Sequence, residues 1–344
     1  MFKDKTVFVV GAGASAEFAM PVGSALMERI KRNSIYSIEY GRFKMVAEAD
    51  LLFRHYTNMY NLDKKDDVDA LNARLEVMRD LVASIDMAES IDEYIYRHSH
   101  NPLVSEIGKL QVAHAIARAE SDCYLRPDDF NASEKFKALN NAWIYSFSKI
   151  LMIGIRAEEI DRIGENITII CFNYDRCIEH YLEHAIVHAY PGTSIERARD
   201  IVNNINIIHP YGWLGSLKAF PFGRVQNFAA MADNLITWSE SIRDPQVKER
   251  MGHAMSEAET IVFLGFAFAR QNMDLLHATD KKWSNKAVFA TGKGLEPEAE
   301  ASYQENISLL YSPGLANGAS ERVRLQWDTE CAPFMKKHRY NLSL

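Results

Sequence analysis

The sequence predicts an α/β fold: a Rossmann-like parallel sheet with helices on both faces, plus a large helical insertion. Three observations predict it. The chain opens on a short apolar run, Val7 to Val10, that leads into glycines at 11 and 13. Further strand signals, mostly short apolar runs, return at Ile167 to Phe172, Ile205 to Ile208, Thr260 to Leu264, Ala287 to Thr291 and Val323 to Trp327, with helix-forming sequence between them. Strands that are apolar throughout and alternate with helices belong to a parallel sheet covered on both faces. Between the first run and the others lies a long stretch nearly free of proline and glycine, which reads as helix.

The first strand passes through Gly11, Ala12, Gly13, Ala14, Ser15 and Ala16 into helical sequence. Glycine at 11 and 13 lets a phosphate approach the backbone, and the helix start offers unpaired N–H groups and a partial positive charge. The same spacing also serves as a plain strand-to-helix turn. Ser15 reads as a cap of this first helix that can also touch phosphate. The helix is broken at Pro21-Val22-Gly23, and Ser24 is placed to cap the stretch ALMERIKRN.

From Val22 to Asn101 only Gly41 breaks the chain after Gly23. Leu71, Leu75, Met78, Val82 and Ile85 recur every three or four residues and share one helix face. Ser90 followed by Glu93 makes a capping box for IDEYIYRH. Val104, Ile107, Leu110, Ala113 and Ala117 repeat the pattern, and Trp143 to Ile155 closes the block. Residues 35–160 are therefore expected to form a helical insertion that packs and carries no chemistry. Residues 1–34 and 161–344 are expected to form the sheet domain.

Composition narrows the class. With 39 Lys and Arg against 46 Asp and Glu, the net charge of −7 leaves no basic footprint for direct nucleic-acid binding. An anionic ligand must then be held by local donors. Cys123, Cys171, Cys177 and Cys331 form no C-x-x-C pair, which argues against a zinc ribbon or a disulfide framework and for reduced thiols in the cytoplasm. No segment approaches the roughly 20 apolar residues of a membrane span, and the start does not read as a secretion signal. A soluble, non-exported protein with no membrane partner is expected.

Ligands of such sheets bind beyond the carboxyl ends of the strands. Four strand ends carry conspicuous sequence: GAGAS at 11–15, NYD at 173–175, HPYGWLG at 209–215 and GFAFARQN at 265–272. They are expected to converge on one crevice. As a set in this order they resemble the sirtuin-like family, in the branch of bacterial antiviral NAD-consuming proteins. The matching stretches are a minor part of the chain and leave out the helical insertion. Protein-deacylating sirtuins carry zinc-binding cysteine pairs and an Asp-Phe-Arg stretch after the glycine loop, whereas here Met20-Pro21-Val22-Gly23 follows and the cysteines are unpaired. The resemblance therefore implies cleavage of NAD to nicotinamide and ADP-ribose with water as acceptor, with no zinc and no cofactor beyond NAD as substrate.

That reaction expels a neutral pyridine from a cation, so the leaving group needs no proton and the difficulty lies in an oxocarbenium-like ribose. His209 can take a proton from a ribose hydroxyl or from water, and equally suits a hydrogen-bonded strand end. Asn173 can hold ribose hydroxyls or water against C1′, or cap the helix that follows. Asp175 can bind the carboxamide or favour positive charge, or act as a cap. The resemblance places Gly265, Phe266 and Asn272 along the ribose or adenine, while Phe266 and Phe268 also suit a core. Thr291-Gly292-Lys293-Gly294 follows a strand and can meet the adenosine half. His180, His184 and His188 share a helix face, at a spacing that suits a metal, but a solvated face is the expected reading.

A gated effector of antiviral defence is the resulting expectation, since unchecked NAD loss is toxic. Its trigger would be homo-oligomerisation or a separate activating protein, of which a prokaryotic Argonaute or a translocase-type ATPase are examples among relatives. The main alternative is a non-catalytic module that senses NAD or ADP-ribose. A dehydrogenase fits poorly, because the acid at the right distance, Glu28, falls inside predicted helix rather than after a second strand. Deacylation and ADP-ribosyl transfer are not expected.

Overall fold

The computed structural model describes residues 1–39, 42–126, 139–283, 285–314 and 322–344. Its centre is a six-stranded sheet built from β1 (Thr6–Val10), β4 (Ile167–Cys171), β5 (Asn206–Ile208), β6 (Thr260–Leu264), β7 (Ala287–Gly292) and β8 (Val323–Trp327). The order is β5-β4-β1-β6-β7-β8, with every pairing parallel. Counted along the chain, these strands run 3-2-1-4-5-6, the doubly wound order of a Rossmann-like fold. All the expected strands form, with ends within a residue of the apolar runs. β1 and β6 are buried at every position because they lie at the middle of a sheet covered on both faces.

The order reverses between β1 and β6, where Val10 lies opposite Leu264. The chain leaves β1 toward one side and β6 toward the other, which opens a crevice beyond their carboxyl ends. Gly11 prolongs the pairing by one residue, donating its N–H to Leu264 O at 3.0 Å, and Phe172 does the same from β4 to Val10 O at 2.9 Å. The residues that follow all three strands are thus held side by side.

The insertion lies in the crossover between β1 and β4, so it leaves from the carboxyl end of β1, beside the crevice, and the chain re-enters the sheet at the amino end of β4. Its helices include Asp50–Met59, Lys65–Ser84, Ile91–Arg97 and Pro102–Asp122. Leu71, Leu75, Met78 and Ile85 are buried, as their spacing requires. Two local expectations change. A hairpin of β2 (Tyr36–Glu39) and β3 (Arg42–Met45) stands where helix was predicted, because alternating Tyr36, Ile38, Phe43 and Met45 suit a strand pair. The helix Trp143–Met152, expected to close the insertion, lies on the sheet domain, with the Phe147 ring 4.9 Å from Phe2 and 5.0 Å from Phe8. Residues 40–41 and 127–138 of the insertion lie outside the described residues.

Helix ends follow the sequence in part. The break at Pro21-Val22-Gly23 separates the helices Ala12–Ala16 and Gly23–Asn33, but Val22 is the cap position and Ser24 sits inside the first turn. Ser90 accepts the Glu93 N–H at 3.1 Å as expected, while the Glu93 carboxylate reaches back to the Glu89 N–H at 2.7 Å, one residue earlier than a capping box requires.

Candidate active site

The glycine turn after β1 is built against a second turn rather than against open space. Gly13 N–H donates to Gly265 O at 2.9 Å, and Ala14 N–H to Gly11 O at 3.0 Å. A Cβ on Gly11 would lie 2.6 Å from Gly265 O, and one on Gly265 only 2.0 Å from Ala14 N. Gly265 also has φ of +57°, which an L side chain rarely adopts. The glycines therefore let two loops interlock across the crevice. The expectation of several unpaired N–H groups for phosphate is corrected accordingly, since the amides of Gly11, Gly13 and Ala14 are already bonded within the chain.

Asn173 follows β4 and projects onto this turn. Its Nδ2 donates to Gly11 O at 3.1 Å and to Ser15 Oγ at 2.9 Å, which uses both amide hydrogens and leaves Oδ1 as an acceptor. Ser15 is buried within the helix Ala12–Ala16, whose cap position is Gly11, so it does not cap that helix. Its hydroxyl instead links Asn173 to the carboxyl of Asp175. Asp175 accepts the Cys177 N–H at 3.1 Å, at the start of the helix Cys177–Ala189. The capping role falls to Asp175 and not to Asn173. Burial raises the Asp175 carboxyl above its ordinary range, against these hydrogen bonds.

These residues border a cavity of about 1150 Å³ at the crossover of β1 and β6. Gly11, Ala12, Gly13, Gly265, Phe266 and Asn272 line it, as do Asn173 and Asp175; Ala14 and Ser15 lie behind the wall. Thr291, Lys293 and Gly294 line it as well, with Thr291 Oγ1 accepting the Gly265 N–H at 2.8 Å. Phe266 both packs in the core, 5.2 Å from Phe172, and faces the cavity.

Three functional-looking groups on this wall escaped the sequence reading. Tyr211 lines the cavity and donates from Oη to Asn272 Oδ1 at 2.6 Å. Tyr174 donates from Oη to Asp92 Oδ1 at 2.5 Å. Asp92 belongs to the helical insertion, and burial pushes its carboxyl up to about 6 against the Tyr174 hydrogen bond. The insertion therefore helps form the cavity, contrary to the expectation that it only packs; Glu89, Ser90 and Ile116 line it too. Glu17 is a structural acid on the same wall. It accepts the Trp143 N–H at 2.7 Å and the Ala332 N–H at 2.8 Å, at the starts of two helices.

His209 does not line this cavity. A turn closed by Gly212 N–H to His209 O at 3.1 Å carries Tyr211 round to the cavity and leaves His209 outside its lining. There it borders a separate hollow of about 340 Å³ with Glu179 and Trp213. Its Nε2 lies 2.9 Å from Glu179 Oε1, its Nδ1 lies 3.4 Å from the backbone oxygen of Asn173, and its ring stacks on Trp213 at 5.0 Å. Burial opposes its charge, but hydrogen bonds with Cys171 and Glu179 and the Glu179 charge outweigh burial and raise its pKa well above the ordinary value. The imidazole therefore lies beside the Asn173 backbone but is not among the residues that line the cavity with the Asn173 amide. His209 is a half-buried, hydrogen-bonded histidine at the end of β5.

The histidine series is only partly solvated, with His188 exposed and His184 half-buried. His180 is buried, stacks on Phe222 at 4.1 Å and bonds Leu125 O at 3.1 Å. Among the described residues no group of three His, Cys, Asp or Glu is disposed to hold a metal ion. All four cysteines are free and buried, and no described helix is long and apolar enough to cross a membrane. No model of a known protein family matches the chain, and no curated protein sequence matches it.

Proposed function

We propose that this protein hydrolyses NAD to nicotinamide and ADP-ribose in the cavity beyond β1 and β6. The observation that carries the reading is Asn173, locked by Gly11 O and Ser15 Oγ so that its one free function is an acceptor oxygen beside the strand-crossover cavity. An acceptor fixed in that way can hold a water or ribose hydroxyl against C1′ without reorganising as charge develops. The crossover of a doubly wound sheet is where dinucleotides bind in other proteins, and the cavity is long enough in its lining to pass from Tyr211 to Thr291 across both halves of the sheet.

Charge on the wall suits the cationic, nicotinamide half of the substrate. Among the described lining residues Glu17, Glu89, Asp92, Asp175 and Glu330 are acidic, and Lys293 is the only cation, itself paired with Glu330. Carboxylates favour a pyridinium ring and, more strongly, an oxocarbenium-like ribose in a poorly hydrated site. The ordered resemblance to sirtuin-like NAD-consuming proteins agrees with this. With His209 outside the cavity, Tyr211 and Asn272 are the polar pair assigned to the ribose hydroxyls. The activity is held in check until the chain self-associates, which is why protein concentration is varied in the test.

The test is to incubate the purified chain with NAD over a range of protein concentrations and quantify nicotinamide by chromatography, beside Asn173→Ala and Tyr211→Phe. Release by the wild type that is lost in Asn173→Ala supports the reading. NAD binding with no nicotinamide at any concentration would instead identify a sensor module.

A further inference from the structure

We propose that Asp92, supplied by the helical insertion, is the general base that takes the proton from the water attacking the ribose. The inference rests on the NAD-hydrolysis reading and names the group that makes water a nucleophile there. In the step, the bond between ribose C1′ and the nicotinamide nitrogen breaks and its electron pair stays on nitrogen, giving neutral nicotinamide. A water oxygen bonds to C1′ as its proton passes to Asp92, then to solvent.

The first support is position. Asp92 lies in the opening turn of the helix Ile91–Arg97, which Ser90 anchors, and it forms part of the same wall as Asn173. Tyr174, the neighbour of Asn173 in the chain, donates to Asp92 Oδ1 at 2.5 Å, so the carboxyl is tied to the segment that carries the fixed amide. Apart from this bond and one to its own backbone amide, the carboxylate keeps lone pairs for a water.

The second support is that no cation compensates the charge, which only the helix N-terminus favours. No Lys or Arg pairs with Asp92 among the described residues, although an uncompensated acid in a desolvated wall costs stability. An asparagine in the same place would accept the Tyr174 hydroxyl equally well. A carboxylate kept at such a cost, in a cleft, fits acid–base work.

The titratable groups facing Asp92 are the phenols of Tyr174 and Tyr211, both raised by burial, with Glu89 from its own side of the cavity. Asp175 and Glu17 share the wall and are also raised by burial. A carboxyl near 6 is mostly ionised at neutral pH and still basic enough to accept a proton.

The experiment compares wild type, Asp92→Asn, Tyr174→Phe and Asn173→Ala for NAD affinity, kcat between pH 5 and 8, and rescue by azide, an anionic nucleophile that needs no deprotonation. Asp92→Asn is expected to bind NAD within a few-fold of wild type and to lose at least about 100-fold in kcat. It should lose the acid limb near pH 6 and regain turnover with azide, forming the ADP-ribosyl azide. Tyr174→Phe should keep turnover with its acid limb moved to higher pH, and azide should not rescue Asn173→Ala. Wild-type-like kcat in Asp92→Asn, or a loss that azide leaves unchanged while NAD still binds, would overturn the assignment of Asp92 alone. Absence of nicotinamide release by the wild type would overturn the NAD-hydrolysis reading itself.

Discussion

The guanidinium of Arg176 and the carboxylate of Glu120 meet 2.5 Å apart with neither side chain exposed to solvent. Glu120 lies in the helix Pro102–Asp122 of the insertion, and Arg176 follows Asp175 directly. The carboxylate also takes the Arg176 backbone N–H at 3.0 Å, and the guanidinium reaches Gly215 O at 3.3 Å in the loop that carries Tyr211. One buried pair thus ties the insertion to two cavity segments.

Removing one partner strands the other charge in a dry site. Glu120→Ala is expected to cost about 3–5 kcal/mol, read as a large fall in Tm or in the denaturant midpoint. Replacing both residues with apolar side chains of similar volume should cost less than either single change. A double-variant loss equal to the sum of the two single losses would show that the pair does not act as a unit.

The interlocked turns make Gly265 more demanding than its φ alone. At Gly294, where φ is +79° and no atom lies within 4 Å of an added Cβ, substitution by alanine should cost only backbone strain of about 1–2 kcal/mol. At Gly265 the new methyl meets Ala14 N at 2.0 Å, so Gly265→Ala should lose more stability than Gly294→Ala and also weaken NAD binding. Chemical denaturation of the two variants side by side checks the order.

The His209 and Glu179 pair gives a pH signature. Because the folded state raises the imidazole pKa, its contribution is complete below the ordinary value near 6.5 and fades as pH rises through the higher folded value. Wild-type Tm should therefore fall more steeply than that of His209→Gln from neutral to alkaline pH. Nicotinamide release per folded His209→Gln molecule should stay within about tenfold of wild type, equivalent to no more than about 1.4 kcal/mol. A loss comparable to that of Asn173→Ala would return His209 to the reaction.

Asp92 behaves in the opposite sense. Its folded pKa of about 6 lies above the ordinary 3.8, so ionising it lowers stability as pH rises between those values. Asp92→Asn should match wild type in Tm near pH 3.5 and exceed it at pH 7.5, by thermal unfolding in matched buffers.

The strands were legible because a doubly covered parallel sheet needs unbroken apolar runs, and those of β1 and β6 are buried throughout. Asn173, Asp175 and the paired glycine loops stood out as polar or flexible residues directly after strands. The orientation of the residues after β5 was not legible. His209 is chemically conspicuous and Tyr211 is not, yet the turn closing at Gly212 brings the tyrosine to the cavity and leaves the histidine outside its lining. Asp92 was hidden differently: an acid in the first turn of a helix looks like a favourable dipole partner, and only the path of the insertion beside the crevice brings it to Tyr174.

The most direct measurement is NAD affinity and nicotinamide release on the same preparations of wild type and Asn173→Ala. Wild type should bind NAD and release nicotinamide, and Asn173→Ala should bind within a few-fold yet release it about 100- to 1000-fold more slowly. Undiminished release by Asn173→Ala, or a wild type that binds NAD and never cleaves it, would contradict hydrolysis at this amide.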